Sequence, residues 1–286
     1  MKALILPNLT KPDAAFQTGR VVHKLAGLHV PCAFPGKYRE AFSQLPASFG
    51  EEERLMEECD LVIAVGGDGT IIHSAKKAAA FGKPVLGVNV GRLGFVAGLE
   101  TNELDRLALL TAGGYTVEER MMLEVRLPCR GEEEPPLFAL NEAVMARGSL
   151  SRILDFRVLL NNTDAGDYRA DGLIVSTPTG STAYSLSAGG PVIDPQMRCV
   201  LLSPICPHSL FTRPVVFGEE AELSVRASSS EEGVNCYLTI DGQTSIPLSD
   251  GEPVLCRAAS RRAKLLRLKD MNFYEVVNQK LAERRR

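Results

Sequence analysis

The stretch that most limits how this chain can fold is Leu61-Val62-Ile63-Ala64-Val65-Gly66-Gly67-Asp68-Gly69-Thr70. Its apolar residues, Leu61 to Val65, read as a buried strand. They run directly into three glycines around one carboxylate, and an apolar run of helical texture, Ile71 to Ala80, follows at once. Strand, glycine turn and helix start form a geometry that offers backbone N–H groups to a phosphate. Gly66, Gly67, Gly69 and Thr70 are the candidates for that cradle. Asp68 is the unusual member. A bare carboxylate repels a phosphate, so it points to holding a divalent cation or to taking a proton from an attacking hydroxyl. The turn therefore suggests phosphoryl transfer rather than passive nucleotide binding. The structural alternative is a tight turn in which Asp68 caps the helix.

Around this turn the first hundred or so residues alternate strand and helix patterns. Lys2 to Leu6 reads as a strand ending at Pro7, Ala14 to Leu25 as a helix ended by Gly27, and Val30 to Phe34 as a second strand. Pro35 to Phe49 reads as a variable loop. The helix after the glycine turn is expected to end near Gly82, with Val85 to Val90 as the next strand. Asn102 to Leu110 reads as a helix capped by Thr101 or Asn102 and closed by Gly113-Gly114. Alternating β and α implies a parallel sheet with ligands at the strand C-termini.

Past about Tyr115 the texture becomes β-rich. Candidate strands are Leu123 to Leu127, Phe138 to Met145, Leu154 to Leu160, Leu173 to Ser176, Ala221 to Ala227, Cys236 to Ile240 and Pro253 to Ala258. Turn dipeptides stand at Asn161-Asn162, Asp171-Gly172, Asp241-Gly242 and Asp250-Gly251. This reads as a second, mainly antiparallel β domain. Phe273 to Leu281 reads as a closing helix that packs back on the first domain. The expected boundaries are 1–118 with 264–286 for the α/β domain and 119–263 for the β-rich domain.

Composition excludes several classes. A net charge of −3 offers no basic surface for nucleic acid, and the run Arg284-Arg285-Arg286 is most simply a solvated terminus. No apolar run approaches the roughly 18 residues of a membrane span. The seven cysteines form no CxxC pair and no zinc spacing, which suggests unpaired thiols in a reducing cytoplasm. No signal peptide is read.

Three further stretches carry chemistry. Gly87 to Phe95 leaves a strand into a loop with Gly91 and Gly94, a second wall for the same crevice. Asn141-Glu142 interrupts an otherwise apolar strand, so these side chains must be paired or must face a ligand. A carboxylate there suits vicinal ribose hydroxyls, and the bland alternative is a strand-end turn. Arg169 to Pro191 packs hydroxyls and glycines around Tyr184, as would suit a polar ligand with a flat ring. No Walker lysine pattern is present, so a metal and the backbone are expected to neutralise a phosphate donor.

Read together, the GGDGT turn at 66–70, the Asn-Val-Gly-Arg-Leu-Gly-Phe run at 89–95, Asn141-Glu142 and the segment from Asp171-Gly172 through Thr177-Pro178-Thr179-Gly180-Ser181-Thr182-Ala183-Tyr184 resemble the NAD kinase family. Ser203 to His208, followed by Arg213-Pro214, has the same family texture. The resemblance covers roughly residues 60 to 275. It implies a Rossmann-like α/β domain, a β domain, and a chain end that returns to the first. It implies transfer of phosphate from ATP with Mg²⁺, or from polyphosphate, to the 2′-hydroxyl of the adenosine ribose of NAD, giving NADP. Asp68 would be the general base, with Gly69 beside it. Asn141 and Glu142 would meet the adenosine part, and Asp171 the nicotinamide half. Thr182, Ala183, Tyr184, Ser185, Leu186 and Ser187 would line the pocket wall. His73, Arg152, Arg169 and Gln243 match further nucleotide-contact positions. The family also implies a homodimer or homotetramer with sites near subunit contacts.

Three rival readings are weaker. A lipid kinase with the same turn needs an apolar acceptor pocket, whereas residues 176–187 are mainly hydroxylated. A phosphofructokinase-like enzyme needs sugar-phosphate arginines near the turn, and none cluster there. A non-enzymatic dinucleotide sensor needs no Asp68.

Overall fold

The computed structural model describes residues 1–91, 94–131, 133–148, 153–209, 212–229, 235–269 and 273–283. The chain divides into two compact units, residues 1–119 with 262–286 and residues 120–261.

The first unit is an α/β fold. Its strands are β1 (Ala3–Pro7), β2 (Cys32–Pro35), β3 (Ala47–Gly50), β4 (Leu61–Gly66), β5 (Pro84–Asn89), the two-residue β6 (Leu99–Glu100) and β7 (Thr116–Arg120). Helices α1 (Ala14–Gly27), α2 (Arg39–Phe42), α3 (Glu52–Glu58), α4 (Asp68–Ala80) and α5 (Ala108–Ala112) alternate with them. The sheet runs β3-β2-β1-β4-β5, then the late strand Ala263–Arg267, then β7. β1 to β5 pair in parallel throughout. The chain moves outward one way from β1 to β3 and the other way from β4 to β5. That reversal sits between β1 and β4, and their C-terminal ends open where ligands of such sheets bind. β4 is wholly buried, as its unbroken apolar run requires.

Two segments of this unit differ from the sequence reading. Pro35 to Phe49 is structured, with a turn of 3₁₀ helix, α2 and the edge strand β3. Aromatic packing explains this: Phe34 stacks on Phe42 at 4.9 Å and on Phe49 at 5.8 Å. Asn102 to Leu110 begins as a 3₁₀ turn, Leu104–Leu107, with no side-chain cap, and only then becomes α5. Gly113 ends α5 in the left-handed conformation, as expected.

The second unit is a sandwich of two antiparallel sheets. Its strands are β8 (Leu123–Arg126), β9 (Leu137–Ala139), β10 (Glu142–Arg147), β11 (Leu154–Leu160), β12 (Thr163–Ala170), β13 (Gly172–Ser176), β14 (Cys199–Ile205), β15 (Val215–Gly218), β16 (Leu223–Ser228), β17 (Cys236–Ile240), β18 (Thr244–Leu248) and β19 (Pro253–Ala258). One sheet has the order β15-β14-β13-β10-β17-β18 and the other β12-β11-β16-β19-β8-β9. A single core joins them, with Leu123, Phe156 and Val225 from one sheet against Met145, Leu173 and Leu238 from the other. Alternation along β11, where Leu154, Phe156 and Val158 are buried between exposed neighbours, shows the one-sided burial of such a sheet. A short helix, α6 (Tyr184–Ser187), follows β13.

Phe138 to Met145, expected as one strand, is two strands in different sheets, broken at Leu140-Asn141. β20 (Ala263–Arg267) and α7 (Phe273–Glu283) belong to the first unit, with β20 parallel to β5. Among the described residues no helix is long and apolar enough to cross a membrane.

Candidate active site

The glycine turn joins β4 to α4. Gly67 is the N-cap, and Asp68 is the first helical residue. Asp68 does not cap its own helix. Its Oδ2 accepts the Phe95 N–H at 2.8 Å and its Oδ1 the Val96 N–H at 3.2 Å. The close approach depends on Gly94, because a Cβ there would lie 2.1 Å from Asp68 Oδ1. Gly94, Phe95 and Val96 thus form a wall built against the carboxylate; Arg92 and Leu93 lie outside the described residues. On the other side Thr70 Oγ1 accepts from Asn8 Nδ2 at 3.0 Å, which ties the turn to the loop after β1. Gly69 is exposed, Gly66 is buried, and Gly67 and Thr70 are half-buried.

A cation also stands here. Lys280 Nζ, on α7, lies 3.8 Å from Asp68 Oδ2 and 4.0 Å from the centre of the Phe95 ring. Lys280 was not found from sequence. It is 212 positions from Asp68, and only helical spacing within α7 gave it any pattern. Among the described residues no cluster of three or more metal-ligating side chains occurs.

The second group is in the β unit. Asn141 lies in the break between β9 and β10, and Glu142 opens β10. The strand-end turn is therefore present. The Asn141 carbonyl accepts the Thr177 N–H at 2.8 Å and the Ser176 hydroxyl at 3.1 Å. Thr177 Oγ1 donates to the Leu140 carbonyl at 2.6 Å. Gly180 makes this contact possible, since a Cβ there would fall 2.2 Å from the Asn141 carbonyl oxygen. From the opposite side the Asp241 carboxylate accepts three successive N–H groups, those of Leu140, Asn141 and Glu142, at 2.9, 2.8 and 3.0 Å. The turn is held on both flanks. Its side chains are not: Asn141 Oδ1, Glu142 Oε2 and the nearby Thr179 Oγ1 are buried without a hydrogen-bond partner. Burial, and secondarily the Asp241 charge, pushes the Glu142 carboxyl up to about 8, while a hydrogen bond from the Tyr184 backbone opposes the shift.

The hydroxylated segment behaves differently from its sequence reading. Its hydroxyls serve mainly to fold the segment. Ser181 Oγ donates to the Pro178 carbonyl at 2.7 Å and accepts the Ile193 N–H at 3.0 Å. Ser185 Oγ meets Ser203 Oγ at 2.8 Å, and Thr182 Oγ1 donates to the Thr179 carbonyl at 3.2 Å. Tyr184, around which the segment is built, is 44% exposed, so its ring is open to a ligand. Ala183 and Leu186 are half-buried and Ser187 is exposed.

The remaining candidates are spread out. His73 is exposed on α4. Arg169 does not pair with Asp171: its Nε lies 3.8 Å from Asp155, while Asp171 is held by Arg147 Nε at 3.0 Å. Gln243 is exposed beside the Asp241-Gly242 turn. Arg152 lies outside the described residues.

Known proteins place this arrangement. Residues 48–113 match the family model for the ATP-NAD kinase N-terminal domain, and residues 140–268 the model for the ATP-NAD kinase C-terminal domain. The NAD kinase of Desulforamulus reducens is 38% identical over 283 residues, 98% of this chain and 96% of that protein. The NAD kinase of Magnetococcus marinus is 42% identical over 280 residues, 97% of this chain and 92% of that protein. The chain belongs to the NAD kinase family. It is thereby an enzyme, a phosphotransferase. Its two-unit architecture is the NAD kinase fold: the crystal structure of yeast NADH kinase complexed with NADH superposes with a TM-score of 0.85 at 25% identity, over 99% of this chain and 87% of that one. An NAD kinase from Archaeoglobus fulgidus, solved in complex with ATP, shares the fold at a TM-score of 0.75.

Proposed function

We propose that the protein phosphorylates the 2′-hydroxyl of the adenosine ribose of NAD with ATP, giving NADP, and that Asp68 is the general base. The observation that carries the acceptor assignment is the pair of buried, unpartnered oxygens on Asn141 and Glu142. Leaving such groups unsatisfied costs roughly 1–3 kcal/mol each, a cost that ligand N–H and O–H donors would remove. NAD offers those donors in its adenine amine and ribose hydroxyls. Tyr184, 44% exposed, supplies a face for a flat ring.

In the reaction the ribose oxygen attacks the terminal phosphorus of ATP, the hydroxyl proton passes to the Asp68 carboxylate, and ADP departs. Asp68 is held for that task by the Phe95 and Val96 N–H groups. The first-turn N–H groups of α4, beginning at Asp68, face anionic donor groups favourably. The turn offers one carboxylate, which fits a magnesium ion carried largely by the donor's own phosphates. Such an ion would supply charge neutralisation on the donor, with Asp68 as the residue that would meet it. Lys280, beside Asp68, supplies a second positive charge where no Walker lysine exists. Gly69, His73, Arg169, Asp171, residues 182–187 and Gln243 remain assigned to NAD contacts. Polyphosphate is a candidate donor, and the assembly is proposed as a homodimer or homotetramer. Seven free cysteines suit a reducing cytoplasm.

The test is NADP formation by wild type and Glu142→Ala across NAD and ATP concentrations. The substitution is expected to raise KM for NAD and leave KM for ATP unchanged. A rise confined to the ATP term would reverse the donor and acceptor assignments.

A further inference from the structure

The Asp241-Gly242 dipeptide reads from sequence as a hairpin turn, and it makes one. Asp241 and Gly242 adopt φ of 48° and 66° between β17 and β18, and Gln243 N–H closes the turn on Ile240 O at 3.0 Å. Turn geometry alone is satisfied as well by Asn or Gly at that position. The carboxylate is used elsewhere. The break between β9 and β10 leaves a run of N–H groups, and both Asp241 oxygens are spent on them: Oδ2 on Leu140, Oδ1 on Asn141 and Glu142. Asp241 N–H in return donates to the Glu142 carbonyl at 3.0 Å. The contacts link positions about 100 residues apart in sequence.

We propose that Asp241 is a positioning residue for the acceptor site: its carboxylate fixes the Leu140–Glu142 turn so that the unpartnered oxygens of Asn141 and Glu142 are held in place for NAD. This rests on the reading of Asn141 and Glu142 as NAD contacts. Three N–H groups converging on one anion form a compact binding concavity, and an amide cannot replace it, since its NH₂ would meet a backbone N–H. Asp241 has an electrostatic effect too. It is the charged group acting on Glu142, with the Tyr184 backbone N–H acting oppositely and Ser176 standing across from Glu142 on β13. A side chain with a merely structural role would leave the titration of the acceptor site alone.

The experiment compares Asp241→Asn, Asp241→Glu and Glu142→Ala for NADP formation across NAD and ATP concentrations, from about pH 6 to 9, with melting curves for each. Asp241→Asn is expected to raise KM for NAD about tenfold or more, the scale of losing charge-assisted hydrogen bonds, with KM for ATP unchanged. It should also move the inflection of the NAD profile to lower pH. Asp241→Glu, which keeps the charge and displaces the oxygens, should raise KM for NAD and leave the inflection where it is. Unchanged NAD terms in both variants, or equal rises in the NAD and ATP terms, would overturn the proposal. Loss of the melting transition in both variants would also overturn it, by showing a role in folding alone; if only one folds, that one decides. If Glu142→Ala leaves KM for NAD unchanged, the acceptor-site reading itself fails, whatever Asp241 does.

Discussion

Asp68 and Glu142 are both carboxylates close to the end of a strand, and their surroundings differ in kind. Asp68, with 28% of its side chain exposed, receives two backbone N–H groups and has an ammonium group 3.8 Å away. Glu142 is 6% exposed, has one oxygen without any partner, and has a second carboxylate bound beneath its own backbone. The first environment stabilises a charge and orients it. The second withholds stabilisation until something arrives. A group that handles a proton needs the first, and a group that recognises hydroxyls gains specificity from the second, because a ligand lacking the donors leaves the cost standing.

That contrast breaks most sharply under metal removal. Chelation by EDTA should abolish NADP formation, and excess Mg²⁺ or Mn²⁺ should restore it; full turnover in chelator would leave Asp68 and Lys280 as the whole of the donor-side electrostatics. Next in size is Asp68→Asn, expected to lower kcat by about 10²–10⁴ with a much smaller change in NAD affinity. Activity within about threefold of wild type would remove the distinction between a reacting and a recognising carboxylate. Tyr184→Ala should weaken NAD binding by roughly 1–3 kcal/mol, the scale of base–aromatic stacking, while Tyr184→Phe keeps most of it. Because the ring is 44% exposed, neither change should move the ligand-free melting temperature. A drop in melting temperature with NAD affinity intact would make the tyrosine structural.

The smallest effect concerns pH. Folded, Glu142 titrates near 8 against an ordinary value of 4.5, so the native state keeps a proton that the unfolded chain has released. More protons bound in the folded state means that stability falls as pH rises between those two values. Glu142→Gln should flatten that part of the melting profile, making the variant gain on wild type by a few degrees between about pH 5 and 9. Parallel profiles for the two proteins would show that Glu142 is ionised when buried.

Legibility from sequence followed the range over which each signal acts. The β4 turn was readable because strand, glycines and helix are contiguous, and the sequence alternation up to β5 specified a parallel sheet. Asn141-Glu142 could be singled out because two polar residues break an apolar run. The break between β9 and β10 could not, since Phe138 to Met145 is apolar enough for one strand and the discontinuity is imposed by Asp241 and Thr177 from far along the chain. Lys280 and Asp241 were missed for the same reason: one reads as an ordinary helix lysine and the other as half of a turn. The hydroxyls of 177–185 were visible, but composition cannot tell a side chain that meets a ligand from one that closes its own loop, and Ser181 and Ser185 do the latter.

The placement of β20 bears on how the chain is made. β20 stands between β5 and β7 in the first sheet, yet it follows the whole of residues 120–261 in sequence. A growing chain pairs Val88 and Asn89 of β5 with β6 early, but leaves Pro84 and Val85 as an open hydrogen-bonding edge throughout synthesis of the β sandwich. The unit begun first is completed last. Its sheet closes only by a contact of long sequence separation, which slows folding and lengthens the time in which an open edge can pair with another chain. Helix α7 is made later still, so Asp68 gains its Lys280 neighbour only after the sandwich has already had its chance to fold.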